Sequence, residues 1–158
     1  MASFDDIRRG LAANLAVLRD DGFQVSPFFL EAPAAPTLQV VGLEDIDYDI
    51  RFRDSSGYDN LGDKLTLIVE AVIPAKNDIG SQIQLDKLHG PSSLKAALEA
   101  DDRLTSRWQD DQTVLTGQGA ACDQLRVSRY RGQTQSLVQR ASAGVNVLLA
   151  HWEVEILT

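Results

Sequence analysis

KLTLIVEAVIPA, residues 64–75, is the stretch whose reading decides the fold. Leu65, Leu67 and Val69 recur at every second position, which is the period of a strand with one preferred face. Thr66, Ile68 and Val69 are branched at Cβ, which suits a pleated surface. Pro74 has no amide hydrogen to give a ladder and ends the run. A strand this apolar is expected at the centre of a sheet.

Upstream, SSGYDNLG (55–62) holds the turn formers Gly57, Asn60 and Gly62 without a sustained period and predicts a loop or hairpin tip. Before it, FQVSPFFLEAPAAPTLQVVGLEDIDYDIRF (23–52) predicts two strands, about Phe23 to Leu30 and Leu38 to Arg53. Pro27 makes the first an edge strand or a bent one. In the second, Ile46, Tyr48, Ile50 and Phe52 alternate with Asp47, Asp49, Arg51 and Arg53, so one side of it is expected to be buried. The opening segment places Ser3 three residues before Asp6, a capping box with the shorter carboxylate. Ile7, Leu11, Leu15 and Leu18 then follow at helical spacing as far as Gly22. Gly10 in mid-helix costs about 1 kcal/mol relative to Ala, which suggests a close contact there.

Downstream, Ile79, Ile83 and Leu88 mark one face of a helix that stops at Gly90 and Pro91. Ser92 or Ser93 caps a second short helix, SLKAALEADD (93–102). Three strands follow, at about Gln124 to Arg131, Gln135 to Gln139 and Val145 to Leu157, the last alternating Trp152, Val154 and Ile156 with Glu153 and Glu155. The polar stretch from Arg107 to Asp123 reads as a long connection, either functional or poorly ordered. The expected architecture is one α+β domain over residues 1–158. It has a mostly antiparallel sheet, an N-terminal helix and two short helices packed on it, in the order α-β-β-β-α-α-β-β-β.

A chain of 158 residues buries roughly 70% of its unfolded surface on folding. Its net charge of −8 opposes any function built on neutralising phosphates. The same charge suits a surface that DNA slides past without sticking. A lone Cys122 excludes an internal disulfide and requires no oxidising compartment. The first fifteen residues lack the pattern of a secretory leader, and no apolar run approaches the ~20 residues of a membrane span, so a soluble product that is not secreted this way is expected.

Catalytic chemistry finds little support. His89 and His151 are the only imidazoles, and with one cysteine they leave no metal-ligand or Cys–His spacing. His89 reads as a favourable charge at a helix end, and His151 as an exposed or interface side chain. Asp45, Asp47 and Asp49 alternate on one strand face but lack the loop pattern of a calcium site. Neither GQG (117–119) nor SSG (55–57) has the context of a phosphate loop. Arg126, Arg129 and Arg131 fall on both strand faces by parity and read as ion-pairing partners of the abundant acids, in part across a subunit boundary. No catalytic, cofactor-binding or metal-ligating residue is expected, and the chain reads as a non-enzyme.

GPSSLKAALEADDRL (90–104), MASFDDIRRGLAANL (1–15), AHWEVEIL (150–157) and, less closely, VVGLEDIDYDIRF (40–52) resemble the tail terminator proteins of siphophages that infect actinobacteria. Members of that family are similar in fold to the terminator of phage lambda. The resemblance implies a virion protein of the tail and neck, assembled in the host cytoplasm as a homo-hexameric ring on the last ring of tail tube protein. It implies that the ring stops tube growth, offers a docking surface to the head–tail connector or stopper, and lets genomic DNA pass through its lumen without specific binding. No membrane partner is implied, and the 107–123 segment has no counterpart in the resemblance.

The interface candidates are Arg51, Arg53, Tyr58, Leu61, Arg129 and Arg131, with Tyr58 and Leu61 as apolar anchors on an extended loop. Another neck component, a connector or stopper, is the nearest alternative. A monomeric binding module of similar size and charge is the alternative from a different class, and an enzyme with a cleft of perturbed carboxylates is the last. Tyr58→Ala is predicted to leave the subunit folded and to weaken its assembly, measured by light scattering; undiminished assembly would remove the loop from the interface.

Overall fold

The computed structural model describes residues 3–30, 36–48, 62–74, 78–90, 93–138 and 145–158. Helix α1 spans Phe4–Leu15, β1 Gln24–Ser26, β2 Thr37–Asp47, β3 Lys64–Pro74, α2 Asp78–Asp86 and α3 Leu94–Glu99. Two short strands, β4 at Arg107–Trp108 and β5 at Val114–Leu115, precede the long strands β6 at Gln124–Val138 and β7 at Val145–Leu157. The main sheet has the order β1-β2-β3-β7-β6, which puts β3 at its centre as its composition predicts. The class is α+β, with helices on a mixed sheet: β2, β3, β7 and β6 pair antiparallel, but β1 runs parallel to β2.

Leu65, Leu67, Val69, Ala71 and Ile73 of β3 point to one face of the sheet, where they meet Leu38 and Val40 of β2 and Trp152, Val154 and Ile156 of β7. Ile7, Leu11 and Leu15 of α1, Leu85 of α2, and Leu94 and Leu98 of α3 join the same core. Ser3 and Asp6 form the expected capping box: the Ser3 hydroxyl accepts from the Asp6 amide, and the Asp6 carboxylate accepts from the Ser3 amide. After Leu15 the helix tightens into a 3₁₀ turn over Ala16–Asp21, and Gly22 closes it at φ +91°, a left-handed conformation that glycine adopts without a Cβ penalty.

Several expectations change on contact with the structure. The Pro27 strand is an edge strand, but only three residues long. The second strand ends at Asp47, so Tyr48 is exposed rather than part of a buried row. In α2 the inward residues are Ser81 and Leu85, and Leu88 just beyond its end is buried as expected, while Ile79 and Ile83 are 73% and 55% exposed. The Ser81 hydroxyl donates to the carbonyl of Pro74 at 3.0 Å, which satisfies the polar group on the inward side of the helix. The two strands expected at 124–131 and 135–139 are one strand, β6. It passes through bulges between Val127 and Arg129 and between Tyr130 and Gln133, with Gly132 at φ +90° absorbing the second.

The polar connection is ordered as well. Its β4–β5 hairpin lays the buried Trp108 against Ala12 and Ala16 of the first helical segment. Arg107 holds the carbonyls of Leu104 and Ser106 and that of Gly119. Leu104 stands at φ +53° and is fully buried against α1.

The contact expected at Gly10 is with this leucine. A Cβ added at Gly10 would stand 2.8 Å from Leu104 Cβ, an atom fixed to the backbone and unable to swing away. Overpacking of this kind costs about 1–3 kcal/mol, against about 1 kcal/mol gained in helix propensity. Gly10→Ala should therefore lower stability by about 1 kcal/mol in urea denaturation; a more stable variant would contradict this packing.

Candidate functional site

Two features stand apart from ordinary core packing: a buried polar row across the sheet, and a charged edge along β6. The row follows from register. Gln39 of β2 lies opposite Glu70 of β3, which lies opposite His151 of β7, so the three side chains share a line on the face away from the main core. Gln39 is fully buried and Glu70 is 2% exposed. The Gln39 amide donates to Glu70 Oε1 at 2.8 Å, and its own Oε1 accepts from the Leu30 amide at 3.0 Å. His151 Nε2 lies 2.7 Å from Glu70 Oε2, and donates to the carboxylate when it carries the proton. A carboxylate out of water requires such partners, and among the described residues no buried side-chain nitrogen or oxygen lacks one.

His151 keeps part of its side chain exposed, in line with its parity opposite Trp152, and its Nε2 also joins it to the buried Gln39–Glu70 pair. The row leaves no exposed nucleophile beside a base, and what it does is fix β2, β3 and β7 against one another. Sequence reading passed over Gln39 and Glu70, although Glu70 is the one charged residue in LTLIVEAVIP.

Along β6, the bulge at Ser128 shifts the parity of the strand. Arg126 stays opposite Glu155, and Arg129 comes opposite Glu153, so the arginines that sequence parity divides lie on one face. Arg126 pairs with Glu155 at 2.6 Å, and Arg131 with Glu44 at 2.7 Å and Glu153 at 3.6 Å. Lys64 and Asp47 form a further pair at 3.1 Å. Exposed pairs of this sort are each worth about 0–1 kcal/mol, so they decorate the face more than they hold it. Arg129 forms no ion pair among the described residues.

Beside Arg129 a groove of about 340 Å³ opens between β6 and the start of α3, bordered by Lys95, Ser93 and His89. Tyr130 and Trp152 line it with ring centroids 5.0 Å apart, and His89 meets the Tyr130 ring edge-on at 4.6 Å. Burial pushes the Tyr130 hydroxyl above its ordinary pKa, with Asp86 adding to the shift. His89 thus packs on aromatic rings, besides standing where α2 ends.

A second groove of about 350 Å³ lies at the opposite edge, between β1 and the β4–β5 hairpin, with Phe23, Val25, Phe28 and Trp108 on its walls. The guanidinium of Arg19 sits 5.1 Å from the Trp108 ring centroid, and those of Arg8 and Arg9 lie within 5.6 Å of Phe28.

Of the interface candidates, Arg129 and Arg131 stand on β6 beside one edge of the sheet; Arg51, Arg53, Tyr58 and Leu61 lie outside the described residues. Among the described residues no three His, Cys, Asp or Glu side chains converge as a metal site. No protein-family model matches the chain, and no curated protein sequence matches it.

Glu70→Ala would strip Gln39 and His151 of their shared acceptor inside the sheet. Leaving the buried Gln39 amide without its acceptor costs about 1–3 kcal/mol, and Glu70→Gln, which keeps the shape and one oxygen, should cost less. Urea unfolding at neutral pH checks both, and equal stability of Glu70→Ala and the parent would show that the row does not hold the sheet.

Proposed function

We propose that this chain is a structural, non-enzymatic subunit of a virus particle: a ring-forming tail terminator that caps the tail tube, stops its polymerisation and presents the docking surface for the head–tail connector. The observation that carries the reading is the sheet order, in which β1 and β6 are two different edges at opposite ends. A closed ring joins two unlike faces of each subunit, and unlike edges are suitable material for such a heterologous contact.

The sequence stretches at 1–15, 90–104 and 150–157 support the same reading through their resemblance to siphophage terminators. They form α1, the α3 region and β7, which together build much of the core. The net charge of −8 agrees with a lumen through which genomic DNA passes without specific binding. In this reading the partners are further copies of the chain, the tail tube protein and a connector or stopper, and the place of action is the neck of the virion after assembly in the host cytoplasm.

The test is the mass of the purified protein by light scattering over a concentration series, with negative-stain imaging of the large species. Closed hexameric rings that bind the end of tail tubes are the expected result. A strict monomer that also fails to bind tail tubes would overturn the reading in favour of a monomeric binding module, and rings that bind only the head portal would make the chain a connector.

A further inference from the structure

The groove beside β1 runs along the open edge of the main sheet. The Gln24 amide donates to the carbonyl of Pro36 at 2.8 Å, on the β2 side. Successive residues of a paired strand turn their backbone groups to opposite sides, so Val25 directs its amide and carbonyl away from β2 and into the groove. Among the described residues no backbone bond reaches Val25 from the β4–β5 hairpin, which forms a separate sheet. A donor and an acceptor side by side on an open edge are what an added strand uses.

The walls of the groove are aromatic and carry a cation. Phe28 is held in place by the Ser26 hydroxyl, which accepts from its amide at 3.1 Å and donates to its carbonyl at 2.7 Å, and Trp108 supplies the wall on the hairpin side. Over Trp108 lies the exposed Arg19, whose guanidinium donates to the carbonyls of Ala16 and Gln112 and meets no carboxylate among the described residues. Arg8, beside Phe28, also donates only to carbonyls. Of the acids nearby, Asp110 is taken by Arg9, while Asp20 and Asp21 follow Arg19 at the exposed end of the 3₁₀ turn. Arg19 thus keeps N–H donors free at the groove for an incoming carboxylate.

The chain holds a segment of matching chemistry between β2 and β3, outside the described residues. Its last part, DSSGYDNL (54–61), has two carboxylates, no cation, and the apolar Tyr58 and Leu61. It cannot fill the groove of its own copy. Val25 pairs with Leu38, and the run of β2 from Leu38 to Asp47 puts about 30 Å between that level and the end where the segment leaves the sheet. The short tether from Gly62 lets Tyr58 stray about 14 Å at most. We propose that the groove beside β1 takes residues 54–61 of a second copy of this chain as an added strand on Val25. Asp59 and Leu61, which share one side of an extended strand, then meet Arg19 and the aromatic walls of Phe28 and Trp108. The inference rests on the ring reading above and deepens it. Each copy gives a segment at one end of its sheet and accepts one at the other, a contact that repeats until the chain of copies closes.

The experiment is fluorescence anisotropy of a labelled peptide of residues 54–62 titrated with the whole chain. Saturable binding, absent for a peptide of the same residues in scrambled order, is the expected result. Arg19→Glu in the chain and Asp59→Lys in the peptide should each weaken binding about tenfold or more, and the two together should recover most of it. Val25→Pro removes the outward amide while leaving the bonds to β2, and should abolish binding in a chain that circular dichroism shows to be folded. Arg19→Glu changes an exposed side chain and decides the question even where Val25→Pro fails to fold. No binding by the peptide, equal binding of the scrambled one, or binding that Arg19→Glu leaves unchanged would overturn the contact, and rings formed on tail tubes would then still uphold the ring reading. Specific peptide binding by a chain that never forms rings would support the contact and count against that reading.

Discussion

A single carboxylate, Glu70, sits at the centre of the sheet and is almost wholly out of water. Burial makes its partners obligatory, and they come from the strands on either side, Gln39 of β2 and His151 of β7. A slip of one residue in either pairing would turn that partner to the opposite face and leave the carboxylate without it. Hydrophobic burial alone fixes which face turns inward but would accept a slip of two residues, which keeps that face and moves Glu70 off its partners. The polar row therefore supplies specificity to a sheet whose apolar face supplies most of the driving force.

Once those three strands are in register, the remaining arrangement follows. Odd-numbered residues of β3 face α1, α2 and α3, and Arg8 ties the helical layer to β2 by donating to the carbonyls of Val40 and Pro27. Val72, Val147 and Leu149 form a separate small cluster on the opposite face. Toward the Lys64 end of β3, that same face carries the ion pairs of Lys64, Arg126 and Arg131. The main sheet ends in two unlike strands, the long bulged β6 and the short β1. Bulges protect an edge from indiscriminate pairing, which is what a subunit needs if it is to meet one partner and not many.

What the sequence disclosed, it disclosed through local rules. The alternation of β3 and β7, the Ser3–Asp6 capping box and the cap at Ser93 all arise from neighbours a few residues apart, and all are present; the close contact at Gly10 is present too, though the glycine alone did not show that its partner is the distant Leu104. The α+β class was legible for the same reason. The misreadings arose where a distant contact overrules a local pattern: Leu85 and Leu88 join the main core and leave Ile79 and Ile83 outward, and Trp108 finds Ala12 and Ala16 far back along the chain and so orders a polar segment. Bulges in β6 reversed the parity by which Arg126, Arg129 and Arg131 were sorted. The polar row was invisible because pairing of β2 and β7 with β3 cannot be read from a Gln, a Glu and a His so far apart. Four of the six interface candidates, Arg51, Arg53, Tyr58 and Leu61, lie outside the described residues, so the edge of β6 is the part of the candidate interface that now has a geometry.

The most direct measurement of the central claim is tube length. Tail tube protein would be allowed to polymerise with increasing amounts of the purified chain, and the lengths scored by electron microscopy. A ring-forming terminator predicts tubes that shorten as the chain is added, each ending in one added layer at one end only. Tubes of unchanged length, with no added density at either end and the chain left in solution, would contradict it.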